Sequence, residues 1–139
     1  MARDISDIFI RDRAALAPLA GVTDSVYRRI CVWFGARPVI SEMVSSEGYV
    51  RGKQTDKTAR ILMFHESERP IGFQFFGSNP DIMADATLKS LELKPDFIDI
   101  NAGCPAKKVV ARGGGSALLE NPLLLERIVG KIASISTVP

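Results

Sequence analysis

The chain has 139 residues, 46% hydrophobic and 24% charged, with a formal net charge of +2, a composition that fits one globular core and excludes a disordered or fibrous chain. So small a charge makes no case for nucleic acid without local clustering. Two distant cysteines, Cys31 and Cys104, and one histidine form neither a CxxC pair nor a metal set and point to a reducing cytoplasm, while the mixed charges of Arg3, Asp4 and Asp7 are unlike a secretory signal and no apolar run reaches the ~18 residues of a membrane span.

Residues 1–13 surround the apolar Ile8-Phe9-Ile10 with Arg3, Asp4, Asp7, Arg11, Asp12 and Arg13, which predicts a lead-in and a small strand plugging the bottom of the fold. A first strand over residues 15–19 runs into Gly21-Val22-Thr23-Asp24, with Thr23 as N-cap of a helix. That helix sets Val26, Tyr27, Ile30 and Phe34 on an apolar stripe, leaves Arg28 and Arg29 off it, places Cys31 as a core thiol at its border and stops at Gly35. The second strand covers residues 38–43. Residues 44–68 form a long connection with modest helical periodicity over 55–62.

The third strand, residues 71–75, alternates Ile71, Phe73 and Phe75 against Gly72 and Gln74. Asn79-Pro80-Asp81 reads as N-cap, first-turn proline and acidic first turn of a helix with Ile82, Met83, Ala86 and Leu93 inward, ending near Lys94-Pro95. The fourth strand puts Ile98 and Ile100 on one face and Phe97, Asp99 and Asn101 on the other. Asn121-Pro122 opens a fourth helix with the broadest stripe, Leu124, Leu125, Ile128, Val129, Ile132 and Ile135. Strand and helix alternate four times, which predicts an α/β fold with parallel strands joined by right-handed crossovers.

Past the fourth strand, Gly103 permits a sharp turn and Pro105 ends ladder pairing, so Cys104 stands on a loop at the strand's carboxyl end, where parallel α/β proteins carry their chemistry. Its alternative is a small buried filler. Gln74 and Asn101 share the inward face as amides able to donate and accept; a polar plug and a turn residue are their bland roles. Asp99, deeper on that face, reads as structural. Lys107, Lys108 and Arg112 make a basic patch beside Cys104 or an ordinary solvated loop, and Gly113-Gly114-Gly115 lacks P-loop spacing and reads as a flexible turn.

Asn101-Ala102-Gly103-Cys104-Pro105 with the lysine pair and glycine turn resembles the signature of the tRNA-dihydrouridine synthases. Leu16-Ala17-Pro18-Leu19-Ala20-Gly21-Val22-Thr23-Asp24, Ser41-Glu42-Met43 and Gln74-Phe75-Phe76-Gly77-Ser78 resemble its first three strands, in family order. The resemblance implies a (β/α)₈ TIM-type barrel that binds FMN and uses NADPH to reduce uridine in tRNA. Such a barrel takes about 250 residues, so residues 1–139 are expected to be its N-terminal half, about four βα units, without the C-terminal half and the helical tRNA-binding domain.

In that setting Cys104 is the general acid, because reducing the uracil double bond needs a hydride at one carbon and a proton at the other. Pro18, Leu19, Ala20 and Gln74 are implied to contact FMN, Asn101 a base edge or flavin carbonyl, and Lys107, Lys108 and Arg112 the tRNA phosphates. A flavin barrel acting on free pyrimidines, like a dihydroorotate dehydrogenase, and a non-catalytic half-barrel are the rival readings. A half-barrel leaves strands one and four as unpaired edges and wets its inward face around Phe97 and Gln74, so the chain is expected to self-associate; without the later loops that frequently build a barrel's phosphate site it is expected to bind FMN weakly or not at all.

Overall fold

A four-stranded parallel sheet organises the computed structural model, which describes residues 4–9, 14–52 and 57–139. Its strands are β1 (Val39–Ile40), β2 (Val44–Ser45), β3 (Ile71–Phe76) and β4 (Phe97–Ile100). Gly72 is flanked by Ile40 and Phe97, and Phe75 by Val44 and Ile100, so β1 and β2 lie along one edge of β3 and β4 along the other. β1 and β2 are therefore one strand, interrupted over residues 41–43. At the interruption the Ser41 hydroxyl takes the place of a ladder carbonyl and accepts from the Gln74 N–H at 3.1 Å.

The expected first strand is reduced to a single bridge, Leu16 to Val39, with the Leu16 N–H on the Pro38 carbonyl at 2.9 Å. Pro18 has no N–H and cannot continue a ladder. Adding that bridge, the strands lie in chain order and all neighbours run parallel, as the alternation of strand and helix predicts.

The helices are α1 (Ile5–Ile8), α2 (Ser25–Trp33), α3 (Ser46–Arg51), α4 (Lys57–Ile61), α5 (Pro80–Ser90), α6 (Lys107–Val110) and α7 (Pro122–Ile135). Ile71, Phe73 and Phe75 of β3 point to the helix side and are fully buried with Met83 and Ala86 of α5 and Ile128 of α7. Each of the large ones contributes about 1.5–3 kcal/mol of burial. Asn79 caps α5, accepting from Asp81 and Ile82, and Asn121 caps α7, accepting from Leu124, each with proline following. Leu93 falls outside the α5 stripe, because the helix ends at Ser90 and tightens into a 3₁₀ turn, leaving Leu93 exposed; Val129 of α7 is exposed too. No helix among the described residues is long and apolar enough to cross a membrane.

Helix α2 departs furthest from expectation. Its N-cap is Asp24, which accepts from the Tyr27 N–H at 2.8 Å, whereas the Thr23 hydroxyl accepts from the Leu19 N–H at 3.0 Å and braces the preceding turn. Val26, Ile30 and Phe34 are exposed and Arg28 is only 1% exposed, so the buried face is the arginine face. Burial is tolerated because every edge of the guanidinium is used: Nε meets Glu68 Oε2 at 2.6 Å, Nη1 the Thr23 carbonyl at 2.7 Å and Nη2 the Met63 carbonyl at 2.9 Å. Glu68 also accepts from the Ser25 hydroxyl and, at 2.8 Å, from the His65 N–H. Cys31 is half-buried and free.

The lead-in is a helical turn, α1, and not a strand; Ile8 packs with Ile40 and Phe97, and the Phe9 ring meets Phe97 edge-on at 5.7 Å. This plug keeps Phe97 buried, contrary to the expected wetting of the inward face, and Gln74 is buried as well. The outer edge of β4 is not bare either, because the Ile98 N–H donates to the Pro139 carbonyl at 2.9 Å. Arg3, Ile10, Arg11, Asp12, Arg13 and Thr55 lie outside the described residues. In the long connection α3 was not foreseen: it is six residues, too short to show a period, and is set by the Ser45 cap on the Gly48 N–H.

Removing one partner of a buried ion pair strands the other charge. Arg28→Ala is expected to lower unfolding stability by about 3–5 kcal/mol, and the exposed neighbour Arg29→Ala to stay within about 0.5 kcal/mol, as measured by urea denaturation.

Candidate active site

The carboxyl ends of the strands converge on a cavity of about 420 Å³. It is lined by Pro18, Leu19 and Ala20 from the turn after the first bridge, by Met43 and Gln74, and by Asn101, Gly103 and Cys104 from the end of β4 and its loop. Six of the residues singled out from the sequence thus meet at one place: Pro18, Leu19, Ala20, Gln74, Asn101 and Cys104. Lys107, Lys108 and Arg112 are exposed and do not line it; the two lysines start α6, directly after the cysteine loop, and Arg112 follows the helix. A larger hollow of about 690 Å³ lies at the opposite end of β3 and β4, against Arg69 and Pro95. Its guanidinium is already bonded to Glu66, Asp96 and the Lys94 carbonyl, so it offers little to a ligand.

The cysteine loop is held from two sides. Asn101 Oδ1 accepts from the Cys104 N–H at 2.9 Å and from the Gly103 N–H at 3.3 Å, an Asx turn that starts the loop. On the far side the Cys104 carbonyl accepts from the Ser116 N–H at 3.0 Å. The thiol is half-buried at the cavity wall.

The glycine run is a packing requirement and not the flexible turn expected from sequence. Gly115 has φ +60°, and a Cβ there would stand 2.4 Å from the Cys104 carbonyl oxygen, so only glycine lets this turn press against the loop. Gly114 lies against the Gly77 backbone, where a Cβ would meet the amide nitrogen at 3.4 Å.

Asn101 Nδ2 donates to Gln74 Oε1 at 2.9 Å and reaches Met43 Sδ at 3.6 Å. Gln74 Nε2 donates to Asp99 Oδ2. Asp99 therefore has its donor, as a carboxylate on that face requires. Gln74 keeps one amide hydrogen outside these bonds, because an amide nitrogen carries two.

Sequence reasoning passed over Glu42, whose carboxylate accepts from the Gly21 N–H and ties the Leu19–Ala20 turn to the strand interruption. Its only signal was its place in Ser41-Glu42-Met43. Met43, a cavity-lining residue, was likewise given no role.

A parallel sheet whose strand ends surround a cavity with a thiol and two amides on its walls places the chain among the α/β proteins that work at their strand termini. The model of the dihydrouridine synthase (Dus) family matches residues 15–139, and the chain belongs to that family. It is 42% identical over 130 residues to tRNA-dihydrouridine synthase B of Pasteurella multocida, covering 94% of this chain and 39% of that protein. Identity to the synthase B of Vibrio vulnificus is 41% over 138 residues, 97% of this chain and 41% of the relative. With the synthase B of Escherichia coli it is 41% over 131 residues, 94% and 40%. The chain spans about two fifths of the length of these curated relatives.

Gly115→Ala is expected to cost more than about 1 kcal/mol, since alanine fits neither the positive φ nor the gap. The same change at Gly130, exposed in α7 with nothing near its Cβ, is expected to stabilise by about 0.5–1 kcal/mol. Paired urea melts and the rate at which iodoacetamide alkylates Cys104 check both: only the Gly115 variant should change the thiol's reactivity.

Proposed function

We propose that the chain is the N-terminal part of the catalytic domain of a tRNA-dihydrouridine synthase, about the first four units of a (β/α)₈ barrel, acting in the cytoplasm on uridine in tRNA. The observation that carries this reading is the meeting of Cys104, Gln74 and the Pro18–Ala20 turn around one cavity. These residues suit a flavin. Ala20 and Gly103 are exposed and carry little or no side chain, Leu19 adds an exposed apolar surface, and nothing lies within 4 Å of a Cβ at Gly103, which leaves room for a planar ring. Gln74 offers its remaining amide hydrogen to the ring's polar edge without adding charge.

Held by these residues, an FMN reduced by NADPH would supply the hydride for one carbon of the uracil double bond. Cys104 acts as the general acid, giving its thiol proton to the neighbouring carbon in the transition state. Asn101 presents the cysteine loop toward the substrate and stands beside the base edge. Lys107, Lys108 and Arg112 neutralise tRNA phosphates next to the cavity and hold the target nucleotide once it has left its stack. That exposed basic cluster favours RNA over a free pyrimidine, which has no phosphate chain to meet it.

Cys104→Ala in the full-length protein is expected to slow uridine reduction by about 10²–10⁴-fold while flavin content stays that of the parent. Parent-like oxidation of the reduced enzyme by tRNA in a single turnover contradicts the role of Cys104. The 139-residue chain by itself is expected to self-associate through the exposed side chains of α2 and the turn after it, Trp33 and Phe34 being 85% and 84% exposed. Light scattering across a dilution series reads this, and a monodisperse monomer at every concentration contradicts it.

A further inference from the structure

We infer that Asp99 is a positioning residue for Cys104, acting through Gln74 and Asn101. The four lie on one chain of hydrogen bonds with a single direction. Gln74 and Asp99 are register partners on β3 and β4, and Gln74 Nε2 donates to Asp99 Oδ2. Asn101 Nδ2 donates to Gln74 Oε1 at 2.9 Å, and Asn101 Oδ1 accepts from the Cys104 N–H at 2.9 Å and the Gly103 N–H at 3.3 Å.

Each amide in this chain has two possible orientations, and what stands at the ends selects one. A carboxylate only accepts, so Gln74 must turn its NH₂ toward Asp99 and its carbonyl toward Asn101. Asn101 must then turn its own NH₂ toward Gln74, which leaves its carbonyl facing the two loop N–H groups. Backbone N–H groups only donate, so the far end demands the same orientation. Reversing Asn101 would set NH₂ against two N–H donors, and reversing Gln74 would set its carbonyl against the carboxylate; both set like groups against each other in a partly buried chain of bonds. Asp99 thus reinforces, two side chains away, the orientation in which Oδ1 of Asn101 holds the cysteine loop.

This role rests on the proposed reading of Cys104 as proton donor, but its test does not need turnover. In a Cys31→Ser background, so that Cys104 is the one thiol, amide hydrogen exchange and the rate of iodoacetamide alkylation are compared for the parent, Asp99→Asn and Asp99→Leu. Leucine has no acceptor, and exchange at Gly103 and Cys104 is expected to rise at least tenfold with a several-fold change in alkylation rate. The Asn101 N–H, held at 2.9 Å by the Phe75 carbonyl in the ladder, is expected to keep its protection. Asparagine can accept or donate, so Asp99→Asn is expected to fall between the two.

Unchanged exchange at Gly103 and Cys104 in Asp99→Leu overturns the inference. Equal loss of protection at the Asn101 amide overturns it too, because Asp99 would then merely stabilise the sheet. A selective response at the loop, with Cys104→Ala leaving uridine reduction intact, upholds the positioning chain and removes the catalytic reading instead.

Discussion

The pairing of β3 with β4 is the constraint on which the site depends. Four consecutive pairs, Gly72 with Phe97 through Phe75 with Ile100, fix which side chains share the inward face. Gly72 is part of that constraint: a Cβ there would stand 2.3 Å from the Phe97 ring, so the ring fills the space the glycine leaves and closes the bottom of the face. Above it come Gln74 and Asp99, then Asn101 and the cysteine loop. A slip of one residue would exchange the faces and send the polar groups into the helix-side core.

Around that pair the described residues are held mainly by capped helices and by the buried Arg28–Glu68 ion pair. The packing of α5 and α7 over Phe73 and Phe75 anchors the helix side of β3. The Arg28–Glu68 pair does a different task, joining the start of α2 to the connection that leads into β3. It leaves Val26, Ile30, Trp33 and Phe34 facing outward, an apolar surface on a chain that spans about two fifths of its relatives' length.

The elements most legible in the sequence were those with a local cause. Asn79-Pro80 and Asn121-Pro122 announced helix starts because cap and first-turn proline act within a few residues. The alternation of residues 71–75 and 97–101 announced strands and sorted their faces correctly, which put Gln74 and Asn101 on one face, while Gly103 and Pro105 placed Cys104 on the loop just beyond. Where the cause was distant the reading failed. Nothing near Arg28 reveals that Glu68, forty residues on, neutralises it, so the apolar side of α2 looked like the buried one. Gly113-Gly114-Gly115 looked flexible because the carbonyl of Cys104, the atom that requires glycine at 115, is a tertiary neighbour. Glu42 and Met43 carried no chemical pattern and gained roles only once the interrupted strand had brought them to the cavity.

The central claim is that flavin binds at the carboxyl ends of the strands. ¹⁵N-resolved titration of the chain with FMN tests it most directly, since weak binding suffices for shifts to be seen. The account predicts changes in the Gln74 and Asn101 side-chain amides and the Leu19 and Ala20 backbone amides, with the Asn121 amide at the α7 cap unmoved. Shifts confined to the hollow at Arg69 and Asp96 would contradict it.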